Sequence, residues 1–295
     1  MKRPPGLFLL VRIAERLEAL VRTHLMWEYH LAQVREPRQT GWVVASGEEL
    51  IEPLRAAGFS VSELSINLAD YYSYLRRARY HRFPFYYGSG VLRGFYEKAL
   101  EHHLAACLLD LGPNDVFLDV ASGHSPAADI YAELYGCTAY RHDVAFAAGV
   151  HGNRIGGDAA NLPLPAGFVT KMALHCSFEH FEGDVDMRFL HEAARVLRPG
   201  GRLCILPLYL STQYTILTDP VLLRDGGRSF DDDAVLACAR GWGCRHGRHY
   251  DVSHLSSRLR DQLGPLRMSL YFVRNATAVH PSCYLRFVAL LERTT

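Results

Sequence analysis

Residues 116–126 read Val116-Phe117-Leu118-Asp119-Val120-Ala121-Ser122-Gly123-His124-Ser125-Pro126. The apolar run that ends at Asp119 predicts a short buried strand, and the small residues after it predict a tight turn. Residues 127–134 then predict a helix. In open α/β sheets, ligands bind at the carboxyl ends of strands, where a helix N-terminus offers unpaired N–H groups. We therefore expect the functional site on the turn that follows Asp119.

Downstream of residue 113, segments typical of strands and helices alternate. Further strands are expected at residues 138–141, 168–174 and 202–210, further helices at 184–197 and 255–263, and two last strands at 268–273 and 284–291. The alternation predicts an α/β fold with a Rossmann-like, mostly parallel sheet. The last two strands have no helix between them, which predicts a C-terminal antiparallel hairpin.

The first third of the chain has a different pattern. Apolar residues recur at helical spacing in residues 7–34, and residues 62–111 are again typical of helix. We therefore expect residues 1–95 to form an N-terminal helical extension or cap, and residues 96–295 to form the catalytic domain.

Two parts of this extension have further interpretations. The helix at 7–34 packs on its own protein, makes peripheral membrane contact or binds a partner. No transmembrane segment is expected. The ten aromatic residues from Tyr71 to Tyr96 either fill the core or wall a substrate pocket.

Residues 116–126 resemble the first motif of the class I S-adenosylmethionine-dependent methyltransferases, in which a hydrophobic strand ends in an acidic residue before a glycine-rich turn. The resemblance continues through most of residues 95–295. It includes Leu197-Arg198-Pro199-Gly200-Gly201, which is similar to the loop that enters the family's fifth strand. The resemblance implies a methyltransferase whose cofactor is S-adenosyl-L-methionine.

The resemblance also implies which residues contact this cofactor. Asp143 follows Asp119 at the position where the family's acidic residue grips the ribose hydroxyls. Asp158 and Ala159 resemble the turn that contacts adenine, and His175 opens a stretch that resembles the end of the fourth strand. The expected cofactor-binding residues are Asp119, Ala121, Ser122, Gly123, Asp143, Asp158, Ala159 and His175.

Two features depart from the family pattern. The repeated glycines of the turn are reduced to Gly123, with Ala121 and Ser125 at the neighbouring positions. Both are small, so the backbone still approaches a ligand, but we expect this loop to avoid positive φ there. The short spacing between Asp143 and Asp158 leaves little room for a full crossover helix.

Three residues near the predicted end of the fourth strand are candidates for a general base: His175, Glu179 and His180. Histidine titrates near neutral pH, which suits the deprotonation of a hydroxyl acceptor. Alternatively, these residues only orient the substrate. Methyl transfer is a direct displacement that depends mainly on the alignment of acceptor, methyl carbon and sulfur. We expect the acceptor to be a small molecule or a glycan hydroxyl, which favours O-methylation.

Two other functions compete with methyl transfer. Gly123-His124-Ser125-Pro126-Ala127 nearly matches a nucleophile elbow, so an α/β-hydrolase-like esterase that uses Ser125 is an alternative. A non-catalytic module that binds S-adenosylmethionine is another. A nicotinamide enzyme is disfavoured, because the turn has one glycine and Asp119 would stand near the phosphates.

Composition limits the partners. The formal net charge of +1 and the lack of a dense basic patch argue against nucleic acid. Seven dispersed cysteines, mostly in apolar runs, indicate reduced thiols and a cytoplasmic location. The cysteines and histidines between Cys238 and His254 follow no usual zinc spacing, so we expect no metal.

Overall fold

A computed structural model describes residues 17, 21, 26–34, 38–40, 47–83, 86, 92–222 and 230–294. The chain forms two units, residues 1–44 with 213–249 and residues 45–212 with 250–295. Residues 45–95 thus belong to the same unit as most of the expected catalytic domain. A functional division at residue 95 stays a prediction. Most of the 7–34 helix lies outside the described residues.

The strands are β1 Arg38–Thr40, β2 Val61–Leu64, β3 Val116–Asp119, β4 Thr138–His151, β5 Arg154–Gly156, β6 Val169–His175, β7 Leu197–Leu206, β8 Thr215–Thr218, β9 Val235–Cys238, β10 Gly247–His249, β11 Leu266–Val273 and β12 Phe287–Arg293. The helices are α1 Trp27–Ala32, α2 Glu48–Ala56, α3 Leu68–Ala78, α4 Leu92–Leu109, α5 Ala127–Tyr135, α6 Val185–Val196, α7 Val252–Arg258 and α8 Ala276–Val279. Among the described helices, none is long and apolar enough to cross a membrane.

The larger unit contains an eight-stranded sheet in the order β2-β11-β12-β7-β6-β3-β4-β5. Strands β4, β3, β6 and β7 run parallel to one another, and β12 is antiparallel to both β7 and β11. The predicted α/β fold with a mostly parallel sheet and a C-terminal antiparallel hairpin is confirmed. The sequence analysis did not predict β2, which extends the edge of the sheet parallel to β11.

The connection from β4 to β5 contains no helix. Residues 141–143 of β4 pair with Arg154–Gly156, and residues 148–151 of the same strand pair with those three residues in reverse order. A hairpin therefore occupies the place of the crossover helix, as the short spacing between Asp143 and Asp158 required. Gly156 permits it, because a Cβ there would stand 2.0 Å from the carbonyl oxygen of Ala147.

Helix α4 crosses the sheet opposite β6 and β7 and supplies much of the core. Ala99, Leu100 and Leu104 are at most 4% exposed. Burying one such leucine contributes about 1.5–3 kcal/mol. The same helix also carries Glu97, Glu101 and His102 into this interior with no exposed surface. Buried ionisable groups are expensive unless they are paired, so this helix has a second role besides packing.

The smaller unit has a four-stranded sheet in the order β1-β9-β8-β10. Its largest fully buried side chain is Arg248, whose guanidinium donates to the Asp231 carboxylate at 2.9 Å. The Tyr214 hydroxyl donates to the same carboxylate. The pairing offsets the cost of burying Arg248.

The turn after β3 differs from the expectation in one respect. Ala121 has a φ of 51° and Gly123 a φ of 52°, so both lie in the left-handed region. The expectation that the loop avoids positive φ at Ala121 was wrong. Hydrogen bonds hold Ala121 there, since its N–H and that of Ser122 donate to Nδ1 and the carbonyl oxygen of His142, at 3.4 and 2.8 Å.

The left-handed conformation of Ala121 predicts that Ala121→Gly stabilises the protein. Glycine removes the Cβ strain, so we expect the free energy of unfolding to rise by about 0.5–1 kcal/mol in urea titrations without cofactor. The matched control is Ala132→Gly at an exposed position of α5, where the same substitution lowers stability by about 1 kcal/mol. A loss of stability in both variants would contradict the assigned strain.

Candidate active site

The site begins with a buried pair between two neighbouring strands. Asp119 ends β3 and His175 ends β6, and the parallel pairing of these strands brings the two side chains together. Nδ1 of His175 lies 2.9 Å from Oδ1 of Asp119, and the two side chains are 3% and 0% exposed. Sequence analysis singled out both residues, and the structure joins them directly.

Hydrogen-bond partners on both sides fix the orientation of the His175 ring. The Tyr131 hydroxyl donates its only proton to the carbonyl oxygen of His102 at 2.5 Å. Tyr131 can therefore only accept from Nε2 of His175, which lies 3.3 Å away. The ring thus lies between the Tyr131 hydroxyl and the Asp119 carboxylate.

The middle of β4 holds the turn that follows β3, since β4 continues past the end of β3. The Gly123 N–H donates to Oδ2 of Asp143 at 2.7 Å, which places the expected ribose-binding carboxylate directly against the turn. His142, the residue before it, reaches the carbonyl oxygen of Gly157 through Nε2 at 3.0 Å. Burial lowers the pKa of His142, so its ring is neutral in this position. Sequence analysis missed His142, whose only signal is its place beside Asp143.

Asp158 and Ala159 follow β5 at the same end of the sheet. Oδ1 of Asp158 accepts from the N–H of Ala160 at 2.9 Å, and the side chain is exposed. Ala159 is 6% exposed. Asp158 therefore stabilises its own turn and remains accessible to a ligand.

These residues fit S-adenosylmethionine. Oδ2 of Asp119 and Oγ of Ser122 are buried, and neither has a hydrogen-bond partner among the described residues. Such orphaned acceptors and donors are rare unless a ligand or water completes them. Ala121 and Gly123 turn their backbone at the same place, and Asp143 adds a carboxylate for hydroxyl groups.

The other two base candidates occupy a one-turn helix just after β6. Glu179 is 3% exposed, whereas the His180 side chain is 36% exposed and its Nε2 lies 3.5 Å from Oε1 of Glu179. His180 is thus the most accessible of the three candidates. The two ring nitrogens of His175 already contact Asp119 and Tyr131.

Ser125 is poorly placed to be a nucleophile. Its side chain is buried and accepts from the N–H of Ala127 at 3.2 Å, as a residue that caps a helix does. Nε2 of His102 lies 3.4 Å away, but Nδ1 of that ring contacts the Tyr80 hydroxyl and not a carboxylate. The described part of the chain therefore places no Ser-His-Asp triad at Ser125.

The region from Cys238 to His254 does not gather ligands. Cys238 lies in β9, while His254 contacts Oδ1 of Asp251 at 2.7 Å. Among the described residues, no three His, Cys, Asp or Glu side chains converge as metal ligands would.

Sequence analysis missed a polar group that α4 brings to the same end of the sheet. The Lys98 ammonium donates to both oxygens of Glu101, at 2.9 and 3.2 Å. The next residue, His102, places its ring 4.7 Å from that of His175. The sequence signal for this group was the set of ionisable residues in the middle of α4, which include Glu97, Lys98, Glu101 and His102, among mostly apolar neighbours.

Two surface depressions lie elsewhere on this unit, with volumes of about 320 and 400 Å³. Neither is lined by Asp119, Asp143 or His175. They are therefore separate from the site at the strand ends.

Comparison with known proteins agrees with this site. Residues 118–205 match the family model described as a methyltransferase domain, a range that contains Asp119, Asp143, Asp158 and His175. No curated protein matches the chain.

Several solved structures are similar to the chain. The 1,6-didemethyltoxoflavin-N1-methyltransferase of Burkholderia thailandensis, bound to 1,6-didemethyltoxoflavin and S-adenosylhomocysteine, has 13% identity and a TM-score of 0.48, over 80% of this chain and 94% of that one. The geranyl diphosphate C-methyltransferase of Streptomyces coelicolor A3(2) has 11% identity and a TM-score of 0.43, over 67% and 79%. None of these structures informs the choice of acceptor.

The matched domain begins in the strand that carries Asp119 and ends in β7, so it spans the turn, the Asp143 carboxylate and the Asp119–His175 pair. Over these residues the chain is similar to the methyltransferase domain family.

Proposed function

We propose that this chain is a methyltransferase that acts on a hydroxyl oxygen of a small molecule or glycan. The observation that carries the proposal is the placement of Glu179 and His180 on the turn that follows His175. The Asp119–His175 pair ties this turn to the cofactor-binding strand. Ionisable side chains therefore stand at the strand end where an acceptor beside the cofactor would have to release its proton.

The cofactor supplies a methyl group on a positively charged sulfur, which makes that carbon an electrophile. Asp143 and the N–H groups from Ala121 to Gly123 would hold its ribose and carboxylate ends, and Asp158 with Ala159 would contact the adenine. Asp119 acts from within the sheet, since its buried Oδ2 can still accept a hydrogen bond. These roles are supported by the places of Asp119 and Asp158 at or just after the carboxyl ends of β3 and β5, and by the place of Asp143 within β4 beside the turn.

Residues 1–95 are proposed to cap the acceptor site. Within this segment, Tyr71, Tyr74 and Tyr80 are at most 2% exposed and form part of the core. Tyr86 is partly exposed, and its hydroxyl lies 3.3 Å from Nε2 of His102. Packing therefore accounts for the buried tyrosines, and Tyr86 is the aromatic residue whose position supports contact with an acceptor.

The carboxylates of Asp119 and Asp143 predict that substitution of either residue lowers cofactor affinity. Asp119→Ala and Asp143→Asn should each weaken S-adenosylhomocysteine binding by about 1–3 kcal/mol in calorimetry, because charge-assisted hydrogen bonds are lost. Asp110→Asn is the control, since Asp110 is exposed and its φ of 53° suits asparagine. Folded Asp119→Ala protein with unchanged affinity would contradict the assignment.

The base proposal predicts that one of three variants loses catalysis selectively. His175→Gln, Glu179→Gln and His180→Asn are compared for kcat on a turned-over hydroxyl acceptor and for cofactor affinity. The variant that lacks the base should lose about 10²–10⁴-fold in kcat with normal cofactor binding. A histidine base accepts protons only while neutral, so its removal should also flatten the fall in rate at acid pH. Near-normal rates in all three variants would show that catalysis rests on alignment alone.

A further inference from the structure

A cluster of five side chains lies beside the end of β6, and of these only Tyr86 has been given a role above. We term this cluster the lysine recess, and its members are Tyr86, Lys98, Cys176, Tyr209 and Tyr284. Lys98 interacts electrostatically with Tyr86, Cys176 and Tyr284. Sγ of Cys176 lies 3.5 Å from the Tyr209 hydroxyl and 3.7 Å from the Tyr284 hydroxyl. The rings of Tyr209 and Tyr284 are stacked, with centroids 6.3 Å apart.

These side chains are partly exposed and yet strongly desolvated. The Lys98 side chain has 25% of its surface exposed, and the other four residues are also of intermediate exposure. Burial is nevertheless the largest influence on the pKa of each group and raises the pKa of Cys176 and of the three tyrosines well above their ordinary values. Groups on an open surface would lose little hydration. Together with the short distances from Cys176 to the two tyrosine hydroxyls, this indicates a partly enclosed cluster.

The recess adjoins the cofactor-binding pair. Cys176 follows His175 directly, and its φ of 51° turns the chain out of β6 at this point. The ring of His102, which follows Glu101 in α4, lies against His175. A molecule in the recess therefore stands one residue beyond the Asp119–His175 pair.

Lys98 is the accessible charge of this recess. The carboxylates nearby are closed off, since the side chain of Glu101 is 0% exposed, that of Glu179 is 2% exposed and Glu97 is 0% exposed. Burial lowers the pKa of Lys98, but its neighbours, Glu101 first among them, raise it well above the ordinary value. Lys98 thus remains an ammonium ion, held in place by Glu101. An ammonium ion in a desolvated recess is a binding group for an oxygen anion.

We infer that the lysine recess binds the acceptor as an oxygen anion, a phenolate, enolate or carboxylate, whose charged oxygen lies against the Lys98 ammonium. This inference rests on the proposed O-methylation and narrows its acceptor class. The stacked rings of Tyr209 and Tyr284 would lie beside a planar acceptor. Glu101 is a positioning residue that acts through Lys98.

Atoms and charges balance in the methyl transfer when the acceptor binds as an anion. The acceptor loses its proton to water before it binds. A lone pair of its oxygen then forms the bond to the methyl carbon while the carbon–sulfur bond breaks and its electron pair stays on sulfur. The negative charge of the acceptor and the positive charge of the sulfonium disappear together. An acceptor that is already ionised in water leaves the base proposed above no proton to remove, whereas a neutral hydroxyl acceptor would need that base.

The test uses four ring compounds that differ in charge: 4-nitrophenolate, benzoate, benzyl alcohol and benzylamine. Each is titrated into the full chain loaded with S-adenosylhomocysteine. We expect the two anions to bind best and the absorbance of 4-nitrophenol to shift toward that of the phenolate on binding. Lys98→Met should weaken anion binding about 10- to 100-fold and abolish the shift, whereas Lys98→Arg should keep part of both.

Two variants control for folding. Lys98→Met with Glu101→Gln removes both charges together and leaves no unpaired buried carboxylate, and it should lose anion binding while it keeps S-adenosylhomocysteine affinity. Lys171→Met removes the lysine of β6 and should leave anion binding unchanged. Equal anion affinity in wild type and Lys98→Met, preference for benzylamine or benzyl alcohol, or no binding of either anion would each overturn the inference.

Product analysis with S-adenosylmethionine separates this inference from the proposed function. Formation of benzyl methyl ether at a rate unaffected by Lys98→Met would overturn the anion site and support O-methylation. N-Methylbenzylamine as the sole product, together with Lys98-dependent binding of anions, would overturn O-methylation and support the anion site. 4-Nitroanisole or methyl benzoate whose formation depends on Lys98 would support both.

Discussion

A carboxylate with no exposed surface, Asp119, has to be compensated inside the sheet, and the rest of the site is arranged around that requirement. His175 compensates it across the boundary between β3 and β6. An unpaired buried charge costs several kcal/mol, so the register of these strands and the ring orientation of His175 are both constrained. Tyr131 completes the arrangement, because it joins His175 to the backbone of α4 at His102.

The turn after Asp119 is held from the neighbouring strand in a comparable way. Asp143 and His142 accept hydrogen bonds from the N–H groups of the turn, which keeps Ala121 in a left-handed conformation that its side chain disfavours. The hairpin between β4 and β5 is compatible with this, since it leaves this part of β4 beside the turn without a crossover helix. The strain at Ala121 is thus balanced by backbone hydrogen bonds and preorganises the turn for a ligand.

Helix α4 gives the site its second layer. Its apolar face forms core, while Lys98, Glu101 and His102 enter the same interior as paired polar groups. Each is satisfied by a neighbour, as burial demands. The site therefore contains two polar pairs, Asp119 with His175 and Lys98 with Glu101. The second pair belongs to the part of the chain that sequence patterns described only as helix.

The sequence by itself determined the α/β class, the C-terminal hairpin and the turn after Asp119, because alternating apolar segments and small-residue turns are local properties of the chain. It also singled out Asp119, Asp143 and His175 as candidate site residues, because each lies in a short stretch that resembles a family motif. The tertiary structure alone decided the Asp119–His175 pair, the left-handed Ala121 and the approach of Lys98 to the strand ends. These depend on hydrogen bonds and burial between residues far apart in the chain, and no local pattern encodes which distant group will compensate a buried charge.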